Sequence, residues 1–302
     1  MMRILITGGS GFIGRNLAEE LSSDYEVLAP SSAELDLLRE QEVRDYLRSH
    51  RCDVIVHAAT TRSNRRMAAS SDLVERNCRM FFNLARNQGQ FGKMLHFGSG
   101  AQYGDRNYLP ARVGENYFDT RVPVDPYGFS KYICAKYIEQ SGRLLDLRLF
   151  AVFGPHEDYT VRFISNACCR VLKGLPIVLR QDVLFDYLYV KDLARITRWF
   201  LENDARHKAY NVCSGRPVAL TELARIVAEI SSSEKMVSVA VTGMGAEYTA
   251  DNSRLLAEMG EHRFWDIRRA VCDLYSWYKL HESVLEADAL DFDAKFKIGA
   301  NV

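Results

Sequence analysis

Thr7-Gly8-Gly9-Ser10-Gly11-Phe12-Ile13-Gly14 is the stretch on which the reading of this 302-residue chain turns. It follows a short apolar run, Arg3–Thr7, and opens Phe12–Leu21, where Ile13, Leu17 and Leu21 recur at helical spacing. The glycines at 8, 11 and 14 therefore occupy a turn from a buried strand into a helix. A tight turn and close approach to a pyrophosphate leave no room for a Cβ. The helix N-terminus then offers free N–H groups to the phosphate charge. Alone, the triad marks only a strand-to-helix turn. On the first strand of a βαβ series it marks a dinucleotide site, contacted by Gly8, Ser10, Gly11, Phe12, Ile13 and Gly14.

Reading outward, such a series follows. Residues 26–29, 53–57, 93–97 and 145–150 read as strands, with helices over 41–50, 72–87 and 127–140. Apolar strands alternating with helices predict an α/β fold, a Rossmann-type doubly wound parallel sheet covered on both faces. After Gly154-Pro155 the alternation stops. There the pattern predicts helices over 161–172, 191–201, Leu220–Ile230 and 264–278, strands over 186–190 and 210–213, and a polar turn over 231–235. Residues 1–155 are expected to bind the cofactor, with 186–205 returning to that domain. A smaller C-terminal α/β substrate domain takes 156–185 and 206–285, leaving 286–302 as a tail.

Composition narrows the partners. With 39 basic and 39 acidic side chains the net charge is zero, which speaks against a nucleic-acid binder. No apolar run approaches the roughly 18 residues of a membrane span. The seven scattered cysteines form no CxxC pair, so free thiols in a reducing cytoplasm and no metal site are expected.

The second strand ends in Ala29-Pro30-Ser31-Ser32, without the acid that holds the adenosine 2′-hydroxyl of NAD. Ser31 and Ser32 leave space for a 2′-phosphate, and Arg15 or Arg39 can supply charge. NADP(H) is the expected cofactor, with NAD(H) possible. Asp36 is either a hydrogen-bond partner of the adenine or a helix N-cap.

Tyr127 and Lys131 stand four apart, on one face of a helix. A tyrosine is a weak acid with a pKa near 10, and a neighbouring ammonium lowers it. The pair makes a usable general acid/base. Ser99, at the end of the fourth strand, is placed to join it.

With these residues the chain resembles the extended short-chain dehydrogenases/reductases, in particular the NAD(P)-dependent nucleotide-sugar epimerase/dehydratase family. The resemblance is carried by Thr7–Gly14, Asp53-Val54-Ile55-Val56-His57-Ala58-Ala59, Ser99 four before Tyr103, and Tyr127 with Lys131. Arg148-Leu149-Phe150-Ala151-Val152-Phe153-Gly154-Pro155, Tyr187-Leu188-Tyr189-Val190-Lys191-Asp192-Leu193-Ala194 and Tyr210-Asn211-Val212 continue it, in the family's order over about residues 3–260.

The resemblance implies that Tyr127 moves a proton at a sugar oxygen, that Lys131 lowers its pKa and holds the nicotinamide ribose, and that Ser99 hydrogen-bonds the reacting oxygen. It puts Leu37, Ala58, Ala59, Thr60, Asn77 and Phe150 along the cofactor path. Ser99, Gly100, Arg162, Asn166 and Arg180 face a nucleotide-diphosphate sugar, and a homodimer is implied. Departures narrow the activity. Gly100-Ala101-Gln102 stands where 4,6-dehydratases carry an Asp-Glu pair, and Ala101 and Val161 or Arg162 replace the cysteine and histidine of fucose-synthase-like members. Phe185 replaces a frequent arginine. What remains suits a reductase of a 4-keto-6-deoxyhexose. A 4-epimerase with tightly held NAD is the alternative, and a non-catalytic NADP(H) sensor the remote one.

Overall fold

A computed structural model describes residues 1–61, 72–232, 237–260 and 262–290. Parts of the turn expected at 231–235 and of the tail at 286–302 fall outside the described residues.

Apolar runs of the first half form parallel strands because both of their faces are covered. These are β1 (Arg3–Thr7), β2 (Glu26–Leu28), β3 (Val54–His57), β4 (Lys93–Ser99) and β5 (Leu144–Leu149). Their helices are α1 (Phe12–Leu21), α2 (Glu40–His50), α3 (Leu73–Ala85) and α4 (Pro126–Glu139). Alternate side chains of β1 enter different cores. Ile4 and Ile6 pack with Leu17 of α1, whereas Leu5 packs with Val43 of α2, Phe81 of α3 and Ile138 of α4. Each such fully buried aliphatic side chain stabilises the fold by about 1.5–3 kcal/mol.

Beyond β5 come β6 (Val152–Phe153), α5 (Phe163–Leu172), β7 (Ile177–Asp182), β8 (Leu184–Phe185), β9 (Leu188–Tyr189), α6 (Val190–Glu202) and β10 (Ala209–Val212). The chain continues through β11 (Val218–Ala219), α7 (Leu220–Ile230), β12 (Val237–Met244), α8 (Ser253–Met259), α9 (Ile267–Leu280) and α10 (Ala287–Leu290). The main sheet runs β10-β5-β4-β3-β1-β2, parallel throughout. Its order reverses at β1, with β2 on one side and β3 on the other. Such a reversal opens a crevice at the carboxyl ends of the strands, where ligands of this architecture bind. A second core joins α5, α7 and α9 to β7 through Ile164, Cys168, Leu179, Leu223, Val227, Val271 and Leu274.

Three expectations change. Tyr210 and Val212 do not belong to the smaller domain. They lie on β10, which pairs with β5 and packs into the sheet core with Phe200 of α6 and Leu255 of α8. The strand expected over 186–190 shrinks to Leu188–Tyr189. Asp186 is fully buried and instead accepts from Ser214 N (2.8 Å), Ser214 Oγ (2.6 Å) and Gly215 N (2.9 Å). The smaller lobe also contains the strand pairs β7–β12 and β8–β11, which the sequence pattern did not announce.

Candidate active site

At the β1–α1 turn Gly8 has φ +73°, and a Cβ there would lie 2.8 Å from Ala59 N. A Cβ on Gly14 would lie 2.2 Å from Gly8 O. Gly11 N donates to Gly8 O at 2.9 Å and closes the turn. Gly11 caps α1 without a side-chain acceptor, so the first amides of the helix stay open to an anion. This glycine cradle, with Ala58 and Ala59 against Gly8, fits the pyrophosphate of a dinucleotide, and Thr60 follows in the loop after β3, its Oγ1 donating to Thr61 O at 3.4 Å. Phe12 and Ile13 turn their side chains into the protein interior, leaving their backbone to the loop. Ser10 is exposed at its rim.

The adenosine end differs from expectation. A Cβ on Gly9 would lie 2.7 Å from Ala29 Cβ, so the glycine loop and the end of β2 touch. Beyond it Ser31 N donates to Glu34 Oε2 at 2.8 Å, and these hydrogen bonds hold the Glu34 carboxyl below its ordinary pKa. An acid is therefore present beside Ser31, brought back by a turn rather than placed on the strand. Asp36 is not a helix cap, because α2 starts after Arg39. Its Oδ1 accepts from Leu38 N at 3.0 Å. Arg39 is ion-paired to Asp36 and Glu42, and Arg15 to Glu19. Neither arginine stands uncommitted for a 2′-phosphate. Leu37 is buried in the core.

Asp125 caps α4 by accepting from Gly128 N at 2.8 Å, with Pro126 at the first helical position. That start sets Tyr127, half-buried, and Lys131, buried, on one face. Lys131 Nζ lies 6.0 Å from the Tyr127 ring centre and donates to Phe97 O at 2.6 Å. A Cβ on Gly128 would lie 2.5 Å from Ala101 O, so the first turn of α4 rests on the segment following Ser99. Ser99, Tyr127 and Lys131 are thus brought together at the carboxyl end of β4. Asn77 braces them. It accepts from Thr61 N at 2.7 Å and donates to Thr61 O and Ser130 Oγ, tying the loop after β3 to α4.

The family is decided by a match over most of this architecture: residues 4–213 fit the model of the NAD dependent epimerase/dehydratase family. The chain belongs to that family. This chain is an enzyme of the extended short-chain dehydrogenase/reductase type, and its relatives include nucleotide-sugar epimerases and reductases. GDP-6-deoxy-D-mannose reductase of Pseudomonas aeruginosa is 26% identical over 249 residues, 77% of this chain and 81% of its own. UDP-glucose 4-epimerase of Thermus thermophilus, solved with NAD, superposes with a TM-score of 0.78 at 25% identity over 92% of this chain and 99% of its own. GDP-mannoheptose C4 reductase of Campylobacter jejuni, solved with NADP, gives 0.79 at 18% over 92% and 98%.

In this epimerase/dehydratase-family enzyme several site residues escape sequence reading. A Cβ on Gly100 would lie 2.4 Å from Tyr248 Oη and 2.5 Å from Phe150 Cε1. Tyr248 therefore closes over Gly100. The Ser99 hydroxyl faces its phenol, Tyr127 lies within electrostatic range, and burial raises its pKa. Phe150 is fully buried behind Gly100, its ring tilted against that of Tyr248 with centres 4.9 Å apart. Arg162 acts electrostatically on Tyr248 and Tyr187 from the N-cap of α5. Asn166 donates to Tyr159 O at 3.0 Å, an internal bond of that segment. Arg180 is exposed on β7. Arg106 lies 5.8 Å from the centre of the Phe185 ring, bringing a cation to the position where the sequence lacks one. Tyr248 lies more than a hundred residues from Gly100 in sequence and Arg106 lies 79 before Phe185, and no local motif announces either.

Proposed function

We propose that the enzyme reduces the C4 keto group of a nucleotide-linked 4-keto-6-deoxyhexose at the expense of NADPH, NADH being able to serve. One observation carries the reading. Ser99, Tyr127 and Lys131 are assembled at the crevice, while the segment after Ser99 brings no second acid/base. Gly100 and Ala101 have none, and the Gln102 amide is consumed in buried hydrogen bonds. Tyr248, its pKa raised by burial, stays protonated and can donate but not abstract.

Gly8, Gly11, Gly14, Ala58 and Ala59 would hold the cofactor, with Ser31 and Ser32 at its adenosine end. When bound, the reduced nicotinamide supplies the hydride that adds to the C4 carbon. Ser99 O–H donates to the C4 oxygen and orients the carbonyl. Tyr127 gives that oxygen its phenolic proton as the C=O bond becomes C–O–H. Lys131 stabilises the resulting phenolate until solvent returns the proton. Arg162 and Arg106 would face the diphosphate, with Arg180 further along the smaller lobe. The retained acid/base residues argue against a purely sensing role.

The test mixes purified protein, NADPH and a 4-keto-6-deoxy sugar linked to CDP, dTDP or GDP. The expected result is loss of nicotinamide absorbance stoichiometric with sugar. No loss with any of the three overturns the proposal. Glu34 favours one second reading. A carboxylate beside Ser31 suits the ribose hydroxyls of NAD, and a 4-epimerase retaining NAD would interconvert UDP-glucose and UDP-galactose without added cofactor. We also propose a cytoplasmic homodimer formed through α3 and α4.

A further inference from the structure

Ser99 is held by a buried polar relay. Ser99 N donates to Gln102 Oε1 at 3.1 Å, and Ala101 N donates to Ser99 Oγ at 3.2 Å. That leaves the hydroxyl its O–H and a second lone pair, on the side where the Tyr248 phenol faces it. Gln102 is fully buried, and its other end, Nε2, donates to Asp146 Oδ2 at 2.7 Å. The same carboxylate oxygen accepts from Arg148 Nε at 2.9 Å, and Arg148 Nη1 donates to Tyr103 Oη at 2.8 Å. Gln102 therefore joins the backbone of Ser99 to an ion pair on β5. Gly98 leaves the necessary space, since a Cβ there would lie 2.2 Å from Asp146 Oδ1 and 2.7 Å from Gln102 Oε1. A glutamine serving only to cap a short helix turn has no need of burial against an ion pair.

We infer that Gln102 is a positioning residue, whose amide, fixed by Asp146 and Arg148, sets the backbone and hydroxyl of Ser99 toward the reacting sugar oxygen. The inference rests on the reductase reading for its kinetic consequence only. The hydrogen-bond pattern makes a charge-specific demand. Position 102 must accept from Ser99 N at one end and donate to a carboxylate at the other. Methionine does neither. Glutamate accepts at both ends, so two carboxylates face each other across 2.7 Å unless they share a proton. Protonated, it restores the original pattern.

The test compares Gln102→Met and Gln102→Glu with the natural enzyme between pH 6 and 9, following kcat, NADPH affinity by fluorescence, and amide hydrogen exchange. Gln102→Met should lower kcat about tenfold or more at every pH, with NADPH affinity within about twofold. Amide protection should fall only in the peptide around residues 97–103. For Gln102→Glu, the ratio of its kcat to that of the natural enzyme should rise about tenfold from pH 9 to pH 6. Turnover of Gln102→Met within twofold of the natural enzyme overturns the inference. So does parallel decline of kcat, NADPH affinity and protection throughout the chain, which marks a merely structural residue. If Gln102→Met does not fold, the near-isosteric Gln102→Glu decides by its pH ratio: a flat ratio is fatal. If the natural enzyme reduces no ketosugar, the reductase reading falls, and exchange alone judges Gln102: local loss around 97–103 upholds it, and unchanged protection overturns it.

Discussion

Tyr127 and Glu34 are the residues whose chemistry most directly tests the site. Tyr127 is proposed to deliver the proton, with Lys131 fixed nearby by its bond to Phe97 O. Tyr127→Phe removes one oxygen and leaves the glycine cradle untouched. Turnover should fall by about 10²–10⁴, the usual worth of general acid catalysis, while NADPH affinity measured by fluorescence stays within twofold. Unchanged turnover would assign the proton to another group. Glu34 governs the other end of the cofactor. Its carboxylate already accepts from Ser31 N, where a 2′-phosphate would seek donors. Glu34→Gln removes the negative charge and should shift the ratio of NADPH to NADH affinity about three- to tenfold toward NADPH. An unchanged ratio in titrations with both cofactors would place the 2′-phosphate elsewhere.

Elements differ in how plainly sequence announces them. The strands β1, β3 and β4 carry apolar runs, β5 alternates leucines with Asp146 and Arg148, and the glycine loop fixes which way the chain turns after the first. Their core and the Ser99, Tyr127 and Lys131 constellation were legible for that reason. The two-residue strands β6, β8, β9 and β11 are too short for any period, and β12 is exposed along most of its length, so no buried face marks it. Tyr248 reaches Gly100 only through tertiary packing. Asp186 reads as strand because apolar residues follow it, yet its burial is satisfied by loop amides of residues 214 and 215. The paired strands β3 and β4 carry their own liability. His57 and His96 face each other across the ladder, ring centres 5.3 Å apart, both buried. Burial, reinforced by Lys131, pushes His57 down to about 3, and burial lowers His96 as well. Below about pH 6.5 an unfolded histidine takes up a proton that the folded one refuses, so protons favour unfolding from there down to about 3. His57 alone should lose about 2 kcal/mol of stability between pH 8 and pH 5. Calorimetry should show Tm falling over that interval, and falling less in His57→Asn. Equal losses in both would exonerate the histidine.

For the whole molecule, zero net charge agrees with the way the proposed anionic ligands are met. Open helix amides at Gly11 and single arginines at positions 106 and 162 supply local attraction without a basic field. The same surface logic bears on assembly. Tyr127 and Lys131 occupy the sheet-facing side of α4, whereas Tyr137, 38% exposed, stands outward and contacts Phe82 of α3, their ring centres 5.2 Å apart. Met80 and Ile133 are half-buried beside them. An aromatic group presented by two adjacent helices is the composition of an interface centre, and a stable one needs about 800 Å² from each partner. Sedimentation should therefore give twice the 34.4 kDa of one chain. Tyr137→Glu introduces a charge at the centre of that face and should yield monomer, with NADPH affinity unchanged because the cradle lies on the far side of α4. A natural protein that sediments as monomer at tens of micromolar would refute the dimer. A Tyr137→Glu protein that remains dimeric would move the interface away from α3 and α4.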